Sequence, residues 1–232
     1  MIAVRLTSLL TRAMFGAGFA LPALVLPASA LDLALPVDCT LGQTCYIQQY
    51  FDHDPSTAWG DFACGTLAYD GHDGTDFAVP TRADMAAGVA VLAAAPGTVA
   101  GIRDGVEDFA PKVAGKECGN GVVVDHGGGW ETQYCHLRMG SVRVQVGDAV
   151  DTGTPLGLIG QSGMAEFPHV HVAVRKDGVE VDPFSPGATN SCDLTRADKA
   201  RQDLWLPEMP YQPGGIIGAG FSTEVPEFDT IK

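Results

Sequence analysis

The sequence has few basic residues, and that scarcity excludes whole classes of protein. Lysine and arginine number 14, against 28 aspartate and glutamate residues, which gives a formal net charge of −14 at pH 7. Binding to a nucleic-acid backbone or to an anionic lipid surface needs a basic footprint. We therefore expect no nucleic-acid partner and no electrostatic attachment to a membrane.

Long apolar runs are also absent, and the one near the N-terminus is too short to cross a bilayer. It extends from Met14 to Leu26, after a basic start that contains Arg5 and Arg12, and small residues follow it. This order is typical of a secretory signal peptide. We predict that residues 1–30 are removed after Ala30, which leaves an exported chain without a membrane anchor.

The chain has no C-x₂-C pair, which argues against a zinc site made of cysteines. Its six cysteines instead fit an exported protein that is held by disulfides. A glycine-rich turn at 127–129 lies between two strand-like segments and brings Cys118 opposite Cys135. Free buried thiols are the alternative. The pairs that we predict are Cys39–Cys45, Cys118–Cys135 and Cys64–Cys192.

Helical periodicity is scarce, whereas short apolar segments between glycine and proline turns are frequent. This pattern predicts an all-β fold, a small antiparallel β-sandwich or barrel-like domain. The one helix candidate spans residues 196–204, and residues 104–119 are predicted to form a loop. The predicted strands span residues 89–94, 98–103, 122–125, 131–137, 142–146, 156–159 and 169–175.

Composition divides the exported chain into three parts. Residues 31–64 contain three cysteines and few periodic stretches, so we predict an N-terminal segment that is tethered by disulfides. Residues 65–188 contain the predicted strands and form the β-rich domain. Residues 189–232 include a stretch rich in proline and glycine and form an irregular extension. That extension either packs on the domain or begins a further one.

Two histidine motifs have the composition of metal sites. His72 and Asp76 are four positions apart in a glycine-rich loop, and imidazole and carboxylate are both good zinc ligands. Side chains alternate along a strand, so His169 and His171 share one face while the valines between and after them face the core. For either motif alone, the alternative is a surface turn or a solvated strand face.

The other histidines carry weaker signals. His136 stands near the end of a predicted strand, and His126 stands at the turn before it. A lone histidine in such a position is usually structural or solvated. His53 has no strand around it, and we interpret it as a surface loop residue.

Taken in order, the three blocks H-x-x-x-D, Y-x-H-L and H-x-H resemble the LytM/lysostaphin-type zinc metallopeptidases of family M23. The resemblance extends from Tyr69 to Phe184 and includes Val-Val-Asp-His-Gly at 123–127. It implies a small antiparallel β-domain of the duplicated hybrid motif type, with zinc in a groove over the sheet. The chain departs from the family at residues 162–167, where many members have a Ser-Thr-Gly turn, and in the loop at 104–119.

The resemblance also implies roles for five residues. His72, Asp76 and His171 correspond to the ligands of one Zn²⁺ ion per chain, and His136 and His169 correspond to the catalytic residues. Three protein ligands leave a fourth position for water, as in other catalytic zinc sites. The implied reaction is peptide hydrolysis by a metal-activated water that two histidines assist.

The function that follows is a zinc endopeptidase that cuts stems or cross-links of peptidoglycan, in a Gram-negative periplasm or secreted. A non-catalytic M23-fold scaffold or activator of another cell-wall hydrolase is the alternative, and a biotinyl-type carrier fits export less well. We expect a monomer. Since the chain is acidic, a protein partner or the groove itself supplies targeting. A further hypothesis is that residues 31–64 cover the groove, as such segments often do in relatives, in which case a protein that starts near Asp61 is more active.

Overall fold

A computed structural model describes residues 31–187 and 203–214, and within them the fold is almost entirely β, as predicted. The predicted signal peptide and most of the predicted helix at 196–204 lie outside these residues. One short helix, α1 at Arg82–Ala87, occurs in the described part. The strands are β1 Tyr46–Gln49, β2 Thr75–Ala78, β3 Ala90–Leu92, β4 Gly97–Arg103, β5 Asn120–Gly127, β6 Trp130–Leu137, β7 Ala149–Val150, β8 Pro155–Leu158, β9 His169–Lys176 and β10 Val179–Val181.

Eight of the strands form one open, antiparallel sheet. Its order is β1-β2-β9-β6-β5-β4-β7, and β10 pairs with the end of β9. Strands β3 and β8 form a separate antiparallel ladder. The two central strands, β6 and β9, are eight residues long and pair over most of their length. The sheet therefore has a long, regular centre on which a site can be built.

One face of the sheet packs into the hydrophobic core. Val170, Val172 and Val174 of β9 are all 0% exposed, as strand alternation predicts. Tyr134 of β6 joins them, and its hydroxyl accepts a hydrogen bond of 2.8 Å from the backbone N–H of Ala94. Burying one such valine contributes about 1.5 kcal/mol or more. The opposite face of β9 is left for polar side chains.

Residues 31–64 are part of this fold, because they provide the edge strand β1 and several core residues. Strand β1 pairs with β2, and Ile47 is 2% exposed. Leu33 and Tyr50 are 0% exposed. The backbone N–H of Leu33 donates to the carbonyl of Leu204, which connects the two described parts of the chain. The limits of the predicted domains stay predictions.

The structure corrects one predicted strand and adds a helix. Residues 142–146 form no ladder. The Arg143 N–H donates to the Leu156 carbonyl as an isolated contact, and Val146 is 62% exposed. Helix α1 was not predicted, yet its start is capped by Thr81, whose hydroxyl accepts from the N–H of Asp84. Six residues are too few to show helical periodicity.

Two predicted disulfides are present. Cys39–Cys45 closes a small loop before β1, and Cys118–Cys135 ties the loop at 104–119 to β6. Cys64 is also disulfide-bonded, but its predicted partner Cys192 lies outside the described residues. In the described part of the chain, no helix is long and apolar enough to span a membrane.

Candidate metal centre and cleft

The three residues predicted to bind metal meet where β2 and β9 pair. Asp76 of β2 is the register partner of His171 of β9, and His72 lies in the turn that leads into β2. All three are nearly buried, with exposures of 1% for His72, 2% for Asp76 and 9% for His171. The register between the two strands thus places ligands from distant parts of the chain side by side.

The three ligand atoms form a small triangle. His72 Nε2 is 3.2 Å from Asp76 Oδ1 and 3.1 Å from His171 Nδ1, and His171 Nδ1 is 2.9 Å from Asp76 Oδ1. Tetrahedral zinc with bonds near 2.0–2.1 Å separates its ligands by about 3.3 Å. The donor set, two imidazoles and one carboxylate, and its spacing therefore fit a divalent metal ion such as zinc.

The ring nitrogens that face away from this triangle both have acceptors. His72 Nδ1 donates to the backbone carbonyl of Tyr50 at 2.5 Å, and His171 Nε2 lies 3.2 Å from Asp73 Oδ1. Each acceptor favours the tautomer that leaves the inner nitrogen free to bind a metal. A Cβ on Gly74 would lie 2.7 Å from the ring of His171, so the turn needs glycine there.

His169 and His136, predicted to be catalytic, lie beside the triangle. His169 is two residues before His171 on the same strand face, and its Nε2 is 3.7 Å from Asp76 Oδ2. The rings of His136 and His169 have centroids 4.7 Å apart. The structure therefore brings all five residues together, while their individual roles stay predictions.

His136 reaches the cleft because its backbone leaves regular strand geometry. Its φ is 63°, in the left-handed region that non-glycine residues seldom adopt. Tyr134 points into the core, so Cys135 points to the cleft, and alternation would return His136 to the core. The left-handed turn keeps both residues on the cleft side. A hydrogen bond from the His136 N–H to the Cys118 carbonyl, 2.8 Å long, accompanies it.

Both of these histidines present Nε2 as an acceptor. His136 Nδ1 donates to the carbonyl of Ser162, and His169 Nδ1 donates to the carbonyl of Phe167, each at 2.8 Å. Since a neutral imidazole carries one proton, each Nε2 is then unprotonated. Two acceptors of protons therefore stand next to the metal ligands.

Burial sets the direction of the pKa shifts of the two histidines, whereas the neighbouring imidazoles set that of Asp76. It lowers the pKa of His136 to about 3, with further lowering from the charges of His169 and His171. It also lowers the pKa of His169. Burial alone would raise the pKa of Asp76, but His169 and the neighbouring imidazoles hold it well below its usual value. The bases are neutral and the carboxylate is ionised at neutral pH.

Four of the five residues (Asp76, His136, His169 and His171) line a cleft of about 600 Å³ over the polar face of the sheet, and His72 is buried outside its lining. The loop at 104–119 forms one wall and residues 164–167 form part of another, so the two departures from the family pattern both border the cleft. Lys112 and Glu166 form an ion pair of 2.8 Å between these walls, and both side chains are exposed. Such an exposed pair contributes little stability. Other lining residues are Gln49, Tyr69, Glu117, Gln133 and Arg175.

The two remaining histidines of the predicted exported chain have structural roles. His126 Nδ1 donates to the Pro96 carbonyl at 2.7 Å, and its Nε2 accepts from the Thr132 hydroxyl at 2.8 Å. The interpretation of His53 as a surface residue is wrong. His53 is 6% exposed, and its Nε2 lies 2.7 Å from Asp182 Oδ2, which the sequence places 129 residues away.

Sequence reasoning missed the groups that orient the four histidines of the site. The carbonyls of Tyr50, Phe167 and Ser162 carry no side-chain signal, so no motif could have indicated them. Asp73 did have a signal, since a carboxylate directly follows the ligand His72 in the sequence.

The comparison with protein families agrees with this geometry. Residues 70–183 match the model of Peptidase family M23. These residues contain the three metal-ligand candidates, His136, His169 and the sheet that positions them. The site therefore lies in a stretch of the chain that matches M23 peptidases, the class that the sequence blocks indicated.

Relatives of known name share this domain. The chain is 36% identical over 129 residues to the DD-carboxypeptidase/endopeptidase Mpg of Neisseria meningitidis, a match that covers 56% of this chain and 25% of that protein. It is 34% identical over 130 residues to the peptidoglycan DD-endopeptidase ShyA of Vibrio cholerae, with 56% and 26% covered. The chain thus spans about a quarter of the length of these relatives.

Among solved structures, the catalytic domain of the prophage-encoded M23 protein EnpA from Enterococcus faecalis is similar to this chain. The TM-score is 0.45 and the sequence identity is 25%. The match covers 63% of this chain and 95% of that chain.

Proposed function

We propose that this protein is an exported zinc endopeptidase that hydrolyses peptide bonds in the stems or cross-links of peptidoglycan, and that it acts in a bacterial periplasm. One observation carries the proposal, namely the triangle of ligand atoms in a cleft with two unprotonated imidazole nitrogens beside it. The named activities of Mpg and ShyA, which share the domain, support peptidoglycan as the substrate.

His72, Asp76 and His171 would hold the ion. Zinc in such a site supplies Lewis acidity, which polarises a peptide carbonyl and lowers the pKa of a water molecule. The two imidazoles and the single carboxylate leave the site with a net positive charge when a divalent ion is bound. That charge favours the negative oxygen that develops as a peptide carbonyl is attacked.

His136 and His169 would move the protons of the reaction. Hydrolysis forms a bond between the water oxygen and the carbonyl carbon and breaks the bond between that carbon and the nitrogen. An unprotonated Nε2 accepts the proton that the water loses, and the resulting imidazolium returns a proton to the leaving amine. His169 is the stronger candidate for the base, because it lies on the same strand face as His171 and next to Asp76.

Digestion of cell-wall sacculi tests the proposal. Purified, cross-linked Gram-negative sacculi are incubated with the zinc-loaded protein, with and without a chelator, and the muropeptides are separated and weighed by mass spectrometry. We expect conversion of cross-linked dimers to monomers that the chelator abolishes. The fragment masses identify the bond. If zinc-loaded protein with its disulfides formed converts no dimers, the proposed enzymatic activity is overturned and the non-catalytic scaffold is favoured.

Export is tested separately. The full-length gene is expressed in a Gram-negative host, the periplasm is released by osmotic shock, and the N-terminus of the protein found there is sequenced. We expect a periplasmic protein that starts at Leu31. A protein that stays in the cytoplasm with an intact N-terminus would contradict the proposed location.

A further inference from the structure

The ring nitrogen of His171 that faces away from the triangle contacts an exposed side chain, although His171 itself is nearly buried. His171 Nε2 lies 3.2 Å from Oδ1 of Asp73, whose side chain is 55% exposed. The corresponding nitrogen of His72 has a backbone carbonyl instead, which no substitution of a side chain removes. Of the two outer hydrogen bonds, the one to Asp73 can therefore be altered by substitution.

Asp73 reaches this position because of the turn in which it lies. It stands between His72 and Gly74, directly before β2. Glycine at 74 leaves the space through which the ring of His171 approaches, since an added Cβ would lie 2.7 Å from both Cε1 and Nε2 of that ring. The carboxylate therefore sits at the outer edge of the ring, while Nδ1 faces inward.

We propose that Asp73 is a positioning residue that holds His171 in the tautomer and orientation needed for metal binding, and so sets the affinity of the centre for zinc. A neutral imidazole has a single N–H, so a proton on Nε2 that is donated to Asp73 leaves Nδ1 free as a ligand. A carboxylate partner also makes the imidazole a stronger ligand. This inference rests on the proposed function in one respect, that the centre binds zinc.

Asp73 does not act as a fourth ligand. The two nitrogens of an imidazole point away from each other, and Asp73 contacts the one that faces away from the triangle. The group of residues whose ligand atoms converge accordingly contains His72, Asp76 and His171 without Asp73.

Zinc affinity is the direct test, and Asp70 provides a matched control. Asp70 is an exposed aspartate three residues earlier in the same loop, so its substitution by alanine removes the same charge. The dissociation constant is measured by competition with a chromophoric chelator for the wild type, Asp73→Ala, Asp73→Asn and Asp70→Ala. Unfolding curves of the metal-free proteins show that each variant is folded.

We expect Asp73→Ala to weaken zinc binding by about 10- to 100-fold. Asp73→Asn should fall between it and the wild type, because its amide oxygen still accepts from Nε2 but carries no charge. Asp70→Ala should bind zinc like the wild type. Equal affinity of Asp73→Ala and the wild type would overturn the inference, and so would an equal loss in Asp70→Ala, which would indicate a general effect of charge.

A second measurement reports orientation rather than affinity. Cobalt(II) replaces zinc, and its visible absorption depends on the geometry of the ligands. We expect the bands of Asp73→Ala to shift and those of Asp70→Ala to stay as in the wild type; unchanged bands in Asp73→Ala would overturn the role in orientation. Tight zinc binding by the wild type without digestion of sacculi would overturn the proposed function and leave the role of Asp73 intact.

Discussion

At the scale of single residues, the conformation of His136 explains why the sequence alone could not place all of the site. Strand alternation correctly predicts that His169 and His171 share a face, because β9 is regular along its length. The same rule would place His136 on the core side, since Cys135 before it lines the cleft. A left-handed φ of 63° overrides the rule. Only the resemblance to a family indicated His136.

Removing either of the two histidines that we propose as proton carriers should greatly reduce turnover and spare metal binding. We expect His136→Ala and His169→Ala to lower kcat by about 10²- to 10⁴-fold. Neither residue belongs to the ligand triangle, so zinc content measured by mass spectrometry should stay at one ion per chain. His126→Ala is the matched control, because His126 does not line the cleft. Full activity of His136→Ala would contradict its role.

A methyl group at Gly74 should damage the metal centre. The Cβ of Gly74→Ala would lie 2.7 Å from the ring of His171 and from the Val172 carbonyl, so the ring must move. We expect zinc affinity to fall by at least tenfold. Gly101→Ala on β4 is the control, since its Cβ meets nothing closer than 3.9 Å. Chelator competition compares the two, and equal affinities would show that the ring has room.

The tautomer of His126 predicts a dependence of stability on pH. Burial lowers the pKa of His126, only partly opposed by the Pro96 carbonyl and Asp125. Its Nε2 accepts from the Thr132 hydroxyl, and protonation forces that hydroxyl to turn and accept instead. The unfolded chain binds the proton more readily, and stability is therefore lost as the pH falls below about 6.5.

The effect of His126 is measured as a difference between two proteins. Urea unfolding of the metal-free wild type and of His126→Gln is compared at pH 7.5 and pH 5.5. We expect the wild type to lose more stability than the variant, because glutamine does not titrate. Equal losses would show that other groups carry the pH dependence.

At the scale of elements, the loop at 104–119 holds the backbone around His136. The disulfide Cys118–Cys135 ties this loop to β6, and the Cys118 carbonyl accepts from the His136 N–H. On the other side, the Ser162 carbonyl accepts from His136 Nδ1. Because the loop and the strand hold His136 together, the disulfide supports the geometry of the site as well as the stability of the fold.

Replacing Cys118 and Cys135 by serine should therefore reduce kcat more than it reduces zinc affinity. We expect a fall in kcat of about tenfold or more and a loss of about 2–4 kcal/mol in stability. The double variant Cys39→Ser, Cys45→Ser is the control, since that bridge does not touch His136. Kinetics are compared at a temperature where both are folded. Equal kcat in the two variants would assign the bridge a purely structural role.

The N-terminal segment is built into the sheet and the core. Of its described residues, Gln49 lines the cleft, while Leu33, Ile47 and Tyr50 are buried in the core. The Tyr50 carbonyl also accepts from His72. The segment thus supports the candidate metal centre through the Tyr50 carbonyl, and the hypothesis that it covers the groove stays a prediction.

Deleting the chain up to Asp61 should consequently inactivate the protein. We expect lower zinc affinity and a lower unfolding midpoint, because β1, much of the core packing and the Tyr50 carbonyl are lost together. The shorter protein and the wild type are compared by chelator competition and by thermal unfolding. Higher activity of the shorter protein on sacculi would restore the idea of a covering segment.

At the scale of the whole molecule, a prediction agrees with the structure where the partners are close in sequence and is incomplete where the partner is distant or absent. Two predictions depend on residues that are close in sequence, namely the strands on either side of the glycine turn at 127–129 and the bridge Cys118–Cys135. The structure confirms both. The burial of His53 depends on Asp182, 129 residues away. A valine-rich stretch at 142–146 has strand composition, yet no neighbouring strand pairs with it. Whether a segment pairs as a strand depends on its neighbours in the folded protein, and the composition of the segment does not specify these neighbours.

The pairing of β2 with β9 has a consequence for the order in which the protein is made. His72 and His171 are 99 residues apart in the chain, and their strands become neighbours only in the folded sheet. A polypeptide emerges from the ribosome N-terminus first. His72 and Asp76 are therefore synthesised well before His171, the third candidate ligand. A half-finished chain therefore holds two of the three candidate ligands, and the complete set first exists once residue 171 has been synthesised.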